Sequence, residues 1–174
     1  MPTDLPPARL VLPGDTERAA SLLARAFAAD PVMGWIYAGS DDPIRAITGF
    51  FQLAVETAVA ELAAMRAQPS EVDRLRSLLP LMDAAHDDTA TYRRHDTEFH
   101  LLLGECARST RLGELLAQSH RELADLMAGV PHSPEIRRHS SDQHRRLVRA
   151  IERRRPDLAR EVMAEHLAAT ASFL

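Results

Sequence analysis

An all-α antiparallel helical bundle is the fold this sequence predicts, and three observations predict it. Ala and Leu dominate, aromatic residues make up 5% of the chain, and glycine supplies only 7 of 174 residues, a composition that favours helix over sheet. From about Ile44 to Ala169 the apolar residues recur at three- and four-residue intervals, without the alternation of a half-buried strand. Proline-containing breaks at Asp42-Pro43, Gln68-Pro69, Val130-Pro131, Ser133-Pro134 and Arg155-Pro156 divide that pattern into helix-length pieces.

Taken in order, residues 1–8 carry three prolines and form an extended lead-in, Arg9-Leu-Val-Leu12 reads as a short strand, and Pro13-Gly14-Asp15-Thr16 turns the chain into a helix that ends at Asp30-Pro31. The run Leu12 to Tyr37 resembles the opening strand and helix of GNAT-type N-acetyltransferases. That family cradles the pyrophosphate of acetyl-CoA in an Arg/Gln-x-x-Gly-x-Gly/Ala loop. None of the seven glycines sits in such a pattern, so the resemblance implies no acetyl transfer. Residues 1–42 are read as an appendage and 43–174 as the helical domain.

Within that domain Ile44, Ile47, Phe50, Phe51, Ala54, Val55, Ala58, Val59, Leu62 and Met65 trace the first apolar stripe. Ser70 is the expected cap of the next helix, which carries Val72, Leu75, Leu78, Leu79 and Met82, with a kink or a break at Pro80. His86-Asp87-Asp88-Thr89 is a polar connection. The helix around Tyr92 then runs to about Ala107, and Arg108-Ser109-Thr110 separates it from a helix marked by Leu112, Leu115, Leu116, His120, Leu123 and Leu126. Gly129 to Pro134 forms the clearest late loop. The last two helices follow it, divided at Pro156, a first-turn proline.

Charge and cysteine content narrow the function classes. A net charge of −4 gives no general reason to bind nucleic acid, and the late arginines Arg137, Arg138, Arg145, Arg146, Arg149 and Arg153–Arg155 read as solvated helix faces. The single cysteine, Cys106, rules out an internal disulfide framework and fits a reducing compartment; its apolar neighbours make it a core residue. No run approaches 18 consecutive apolar residues, and Met-Pro-Thr-Asp-Leu-Pro-Pro lacks the features of a signal peptide. A soluble, cytoplasmic protein without membrane contact is expected.

Four polar residues interrupt the apolar stripes. On the Tyr92 helix, Asp96 and His100 share a face with Tyr92, Phe99 and Leu103 and point inward together. His144 lies among Ile136, Leu147, Val148 and Ile151, and His166 follows Leu158 and Val162. A buried Asp–His hydrogen bond and satisfied core histidines account for each singly. Together one carboxylate and three imidazoles from three helices make a ligand set for a single divalent ion, Zn(II), Ni(II), Mn(II) or Fe(II). His95, His120, His132 and His139 have ordinary surface explanations.

Asp96-x-x-x-His100 followed by His144 and His166 resembles the metal-binding FCD domain, the all-helical effector-binding half of FadR-subfamily GntR transcriptional regulators. The resemblance spans about residues 48–174. Val55-Glu-Thr-Ala-Val-Ala-Glu-Leu-Ala-Ala64 is similar to the family's first helix, Asp96-Thr-Glu-Phe-His-Leu-Leu-Leu103 to its signature helix, and Arg160-Glu-Val-Met-Ala-Glu-His166 to its last. It implies a metal on Asp96, His100, His144 and His166, a small carboxylate ligand on the open positions of that metal, and a homodimer to which the helix around Phe50 to Val59 contributes. Two places depart from the pattern: Ser109 stands where the family usually has Asn, and Gln52 where it often has Arg. The segment ahead of the domain shows no recognition-helix pattern, so no DNA-binding motif is read in this chain. The alternative is a metalloenzyme that uses the open positions of an Asp/His3 site for water, dioxygen or substrate, as in zinc or non-heme iron chemistry.

Overall fold

A computed structural model of the protein describes residues 43–127 and 133–171, with side chains from 53 to 121 and from 133 to 170. The expected strand at Leu10 to Leu12 and the GNAT-like segment lie outside the described residues. The chain divides into a unit up to Phe50 and a unit from Phe51 to Leu174; the second carries the features below.

The described residues form six α-helices and no strand: α1 (Pro43–Arg66), α2 (Pro69–Ala84), α3 (Thr89–Cys106), α4 (Thr110–Met127), α5 (Pro134–Glu152) and α6 (Pro156–Ala171). The all-helical bundle anticipated from periodicity is thus the fold. Helix α2 packs on α3 and α5, α3 also on α4, and α5 also on α6. Short connections join all these helices, which favours side-by-side packing of successive helices.

Local chemistry sets the boundaries. Helix α2 is capped two residues earlier than the expected Ser70: Pro69 occupies its first turn and Gln68 the cap, the Gln68 backbone N–H donating to the Glu71 carboxylate at 2.6 Å. The chain does not break at Pro80, because α2 continues through it to Ala84. Asp88 caps α3 by accepting from the backbone N–H groups of Ala90 and Thr91 at 3.1 Å. At the end of α5, Arg154 takes a left-handed φ of 54°, with Arg154 N–H bonded to Ile151 O and Arg155 N–H to Ala150 O, a Schellman ending without glycine. The same turn lets the Arg154 guanidinium donate to Ala64 O and Ala67 O, so a strained residue closes the end of α1.

The core runs through the middle of every helix, from Val59, Ala60 and Ala63 of α1 to Leu75, Phe99, Leu103, Ile151 and Met163. Cys106 is fully buried and free; burial first, then the nearby Glu71 carboxylate, pushes its thiol up to about 12. The inward face of α1 agrees only in part with the stripe traced from sequence: Val59 is buried and Val55 and Leu62 pack against the core, but Met65 is exposed, and Glu56, Ala60 and Ala63 point in. Arg137 also departs from the solvated reading. It is 4% exposed and donates to His86 O at 2.6 Å and Thr89 Oγ1 at 2.9 Å, tying α5 to the turn before α3.

Tyr92, 4% exposed, donates its hydroxyl hydrogen to Arg137 O at 3.0 Å, with Ser141 Oγ at 3.3 Å. Tyr92→Phe keeps the ring and deletes this buried link between α3 and α5. A loss of about 1–2 kcal/mol is expected, read as a lower urea midpoint at unchanged slope. An unshifted midpoint would show that the hydroxyl bond contributes nothing.

Candidate metal centre

Helices α3, α5 and α6 each bring one imidazole to a common point. His100, His144 and His166 are 2%, 1% and 7% exposed, and one ring nitrogen from each lies within 4.8 Å of the other two. Ring centroids stand 4.7 Å apart for His144 and His166 and 5.4 Å for each of them from His100. Phe99, one residue before His100 on α3, lies against the His144 ring at 4.5 Å. Three of the four residues picked from sequence therefore converge. Asp96, one turn before His100, stands beside them with its side chain 28% exposed and Oδ1 3.6 Å from His144 Nε2.

One hydrogen bond and one buried ion-pair cluster orient the rings. His166 Nδ1 meets Gln143 Oε1 at 3.0 Å; that oxygen only accepts, so Nδ1 carries the hydrogen and Nε2 keeps its lone pair. His100 Nδ1 meets Glu56 Oε2 at 2.6 Å, and the second oxygen of Glu56 is 3.2 Å from His120 Nε2. Glu56, from α1, is 1% exposed, and His120, from α4, is 6% exposed.

Burial sets the protonation of the outer two rings. Removal from water, followed by the neighbouring imidazoles, holds His144 well below the usual histidine range and brings His166 down to about 4, so both are neutral near pH 7. His100 goes the other way: burial opposes its charge, but the Glu56 carboxylate overrides burial and pushes it up to about 9. Burial likewise works to raise Glu56, yet His100 and His120 hold it well below the usual carboxylate range.

The donor set fits a divalent cation. Both ring nitrogens of His144 are buried without a hydrogen-bond partner, and the Asp96 oxygen is too far to serve as one. Leaving such groups unsatisfied costs about 1–3 kcal/mol each. A cation among three imidazole nitrogens and one carboxylate would remove that cost, His100 giving up its extra proton as it binds, with ligands suited to Zn(II), Ni(II), Mn(II) or Fe(II).

The same protonation pattern makes the metal-free protein acid-sensitive. His144 and His166 titrate lower in the fold than the ordinary value of about 6.5, so their contribution is complete above that value and is lost as pH falls toward 4. His100 has the opposite sign, its contribution being complete below about 6.5 and lost as pH climbs to 9. Glu56, Asp96, His120 and Arg145 are the charged or titratable neighbours that face these rings. Calorimetric melting in chelator should give a maximum near neutrality and a lower melting temperature at pH 5; a flat profile would contradict the assignment.

The FCD domain family profile matches residues 51–169. The chain belongs to the FCD domain family. Relatives of this FCD domain include the HTH-type transcriptional repressor NanR of Citrobacter rodentium, 31% identical over 122 residues, covering 67% of this chain and 45% of that protein. A putative HTH-type transcriptional regulator RmpR of Mycobacterium gastri is 29% identical over 143 residues, covering 79% and 50% respectively. The chain spans about half the length of the curated relatives it matches. Among solved structures, Streptococcus agalactiae GntR superposes with a TM-score of 0.65 at 21% identity, covering 78% of this chain and 63% of that one, and E. coli McbR/YncC with 0.65 at 16%, covering 88% and 84%. These two show the fold. No described helix of the FCD domain is long and apolar enough to cross a membrane.

Glu56 and His120 are the residues of the centre that sequence reasoning missed. The surface reading of His120 is corrected: it is buried against Glu56 and stacks near His100, ring centroids 4.7 Å apart. A signal existed, since His120 follows Leu116 by one turn and Leu116 is buried. Glu56 gave none, because α1 is rich in alanine and its apolar residues do not single out one face. Of the other histidines, His139 is exposed, His95 is only 14% exposed with Glu98 3.6 Å away, and His132 lies outside the described residues.

Proposed function

We propose that this FCD domain is a metal-dependent sensor of a small organic acid, the effector-binding part of a GntR-type transcriptional regulator. Asp96, His100, His144 and His166 hold one divalent ion. The observation that carries the reading is the convergence of three buried imidazoles from three helices on one point, two of them neutral at pH 7 and one with both nitrogens lacking a hydrogen-bond partner. A bound six-coordinate ion supplies two open positions, which suit the oxygen atoms of a carboxylate or hydroxycarboxylate.

The chain's part is to offset half of the ion's charge with Asp96, to orient the rings from outside, and to wall the inner side of the centre with Phe99. Because three helices meet at the ion, ligand binding there can bias their packing, which is the event an effector domain transmits. The relatives' names support regulation of transcription, and the chain spans about half of each of them. Assembly as a homodimer through α1, which exposes Leu53, belongs to the same proposal. Sedimentation as a monomer at high micromolar concentration would remove it.

The test is elemental analysis of protein purified without a histidine tag, together with native mass spectrometry of what the domain carries. About one Zn, Ni, Mn or Fe per chain and a co-purifying small acid released with the metal by chelator are expected. Metal-free protein that neither takes up these ions nor melts higher in their presence would sink the reading.

A further inference from the structure

We propose that Glu56, braced by His120, is a positioning residue for the metal centre: its carboxylate, paired with His100 at Nδ1, occupies that side of the ring and leaves Nε2 as the nitrogen offered to a cation. The inference rests on the metal reading above and adds α1 and α4 to a site otherwise built by α3, α5 and α6.

The distances decide between two roles for this cluster. Glu56, His100 and His120 also satisfy the loose spacing of a three-ligand site of their own. Yet Glu56 Oε2 and His100 Nδ1 are 2.6 Å apart. Two ligand atoms bound at about 2.1 Å to one ion stay roughly 3 Å or more apart in tetrahedral or octahedral geometry, whereas charge-assisted hydrogen bonds fall near the shorter distance. At that separation the two atoms form an ion pair and are too close together to be ligands of one ion.

Geometry also keeps Glu56 in place. Its other oxygen lies 3.2 Å from His120 Nε2, so the carboxylate is bracketed by one ring from α3 and one from α4, with all three groups nearly inaccessible to solvent. His166 repeats the arrangement with a neutral partner, its Nδ1 held by Gln143 Oε1. Two of the three converging imidazoles are thus gripped at Nδ1 from outside the centre. Such outer contacts fix ring orientation and raise the basicity of the ligating nitrogen.

The experiment uses the full chain with Zn(II) as the probe, comparing wild type, Glu56→Gln, His120→Gln and His144→Ala. Zinc affinity is measured by chelator competition at pH 7.5, metal-free melting by calorimetry, and the state of the His100 nitrogens by 15N NMR of the zinc-loaded protein. Glu56→Gln should weaken zinc binding about 10- to 100-fold while the metal-free melting temperature moves by no more than about 3 °C. His120→Gln should give a smaller loss of the same kind, and zinc-loaded wild type should show His100 protonated at Nδ1 and ligating through Nε2. Unchanged affinity in Glu56→Gln, ligation through Nδ1, or a metal-free melting temperature that falls in step with affinity would overturn the positioning role. So would two zinc ions per wild-type chain dropping to one in His120→Gln, the mark of a second cation site. If His144→Ala binds zinc as tightly as wild type, the metal reading itself fails; the positioning role alone fails when His144→Ala loses zinc and Glu56→Gln does not.

Discussion

His144→Ala is expected to abolish tight binding of a divalent cation and, with it, the stabilisation that the cation confers. His144 is the ring at the middle of the centre, 1% exposed, packed on Phe99 and His166, and no other imidazole of α5 faces inward, since His139 is exposed. Removing one of the four proposed ligands should lower affinity by at least 100-fold. At a free metal concentration of 100 times the wild-type dissociation constant, binding stabilises the wild-type fold by about 2.7 kcal/mol, and the variant should lose most of this. In chelator the difference between the two should be small, because the substitution removes two ring nitrogens that lack hydrogen-bond partners. Thermal melting with zinc and with chelator checks both halves, with His139→Ala as the control that should behave as wild type. A His144→Ala variant that keeps its metal-dependent rise in melting temperature would show that the ion, if bound, sits elsewhere.

Phe99→Ala should be the most damaging single change to the fold. The ring is fully buried, lies 4.5 Å from His144 and 5.8 Å, edge-on, from His100, and forms the apolar wall between the centre and the core. Truncation removes its transfer free energy and leaves a cavity, together about 3–5 kcal/mol, a drop in melting temperature of roughly 10 °C or more. Metal affinity should fall as well, because His144 loses the surface that holds its ring. Phe99→Leu fills most of the space and should cost about 1.5 kcal/mol or less. Urea denaturation in chelator separates the packing effect from metal loss; a cost under about 1 kcal/mol for Phe99→Ala would mean that the neighbouring helices collapse into the gap.

Much of the site was legible in the sequence because its histidines interrupt clear stripes. His144 lies beside Leu147 and Val148, and His166 follows Val162, so the spacing of unmistakably apolar residues fixes which way each imidazole faces. The Asp-x-x-x-His spacing likewise puts Asp96 and His100 one turn apart on α3 whatever the rest of the chain does. The GNAT-like reading of the first residues lies outside the described residues and has no counterpart in the family match, which begins at residue 51.

Where stripes are weak, the reading went astray. Alanine makes up 6 of the 24 residues of helix α1, and alanine tolerates either side of a helix. The stripe through Ala54, Val55, Ala58, Val59, Leu62 and Met65 meets the core at Val59, with Val55 and Leu62 at its margin, but the buried face is centred on Glu56, Val59, Ala60 and Ala63 and leaves Met65 exposed. The choice is made by neighbours: small residues let α1 approach closely, and a carboxylate can be buried only where His100 and His120 wait for it. The caps followed the same division. Asp88 could be placed at the polar connection from local chemistry, whereas the buried Arg137 depends on the carbonyl and hydroxyl that the turn before α3 presents to it.

By itself, then, the sequence determined the helical fold, the places of most breaks, and the inward direction of Asp96, His100, His144 and His166, because helical periodicity and capping act within a few residues along one chain. Only the tertiary structure decided that three of those side chains meet within 4.8 Å while Asp96 stands beside them, and that Glu56 is buried between His100 and His120. Those outcomes depend on how α1, α3, α4, α5 and α6 are rotated and spaced against one another. That rotation is settled by close packing and by the need to pair each buried charge, neither of which leaves a periodic mark along the chain.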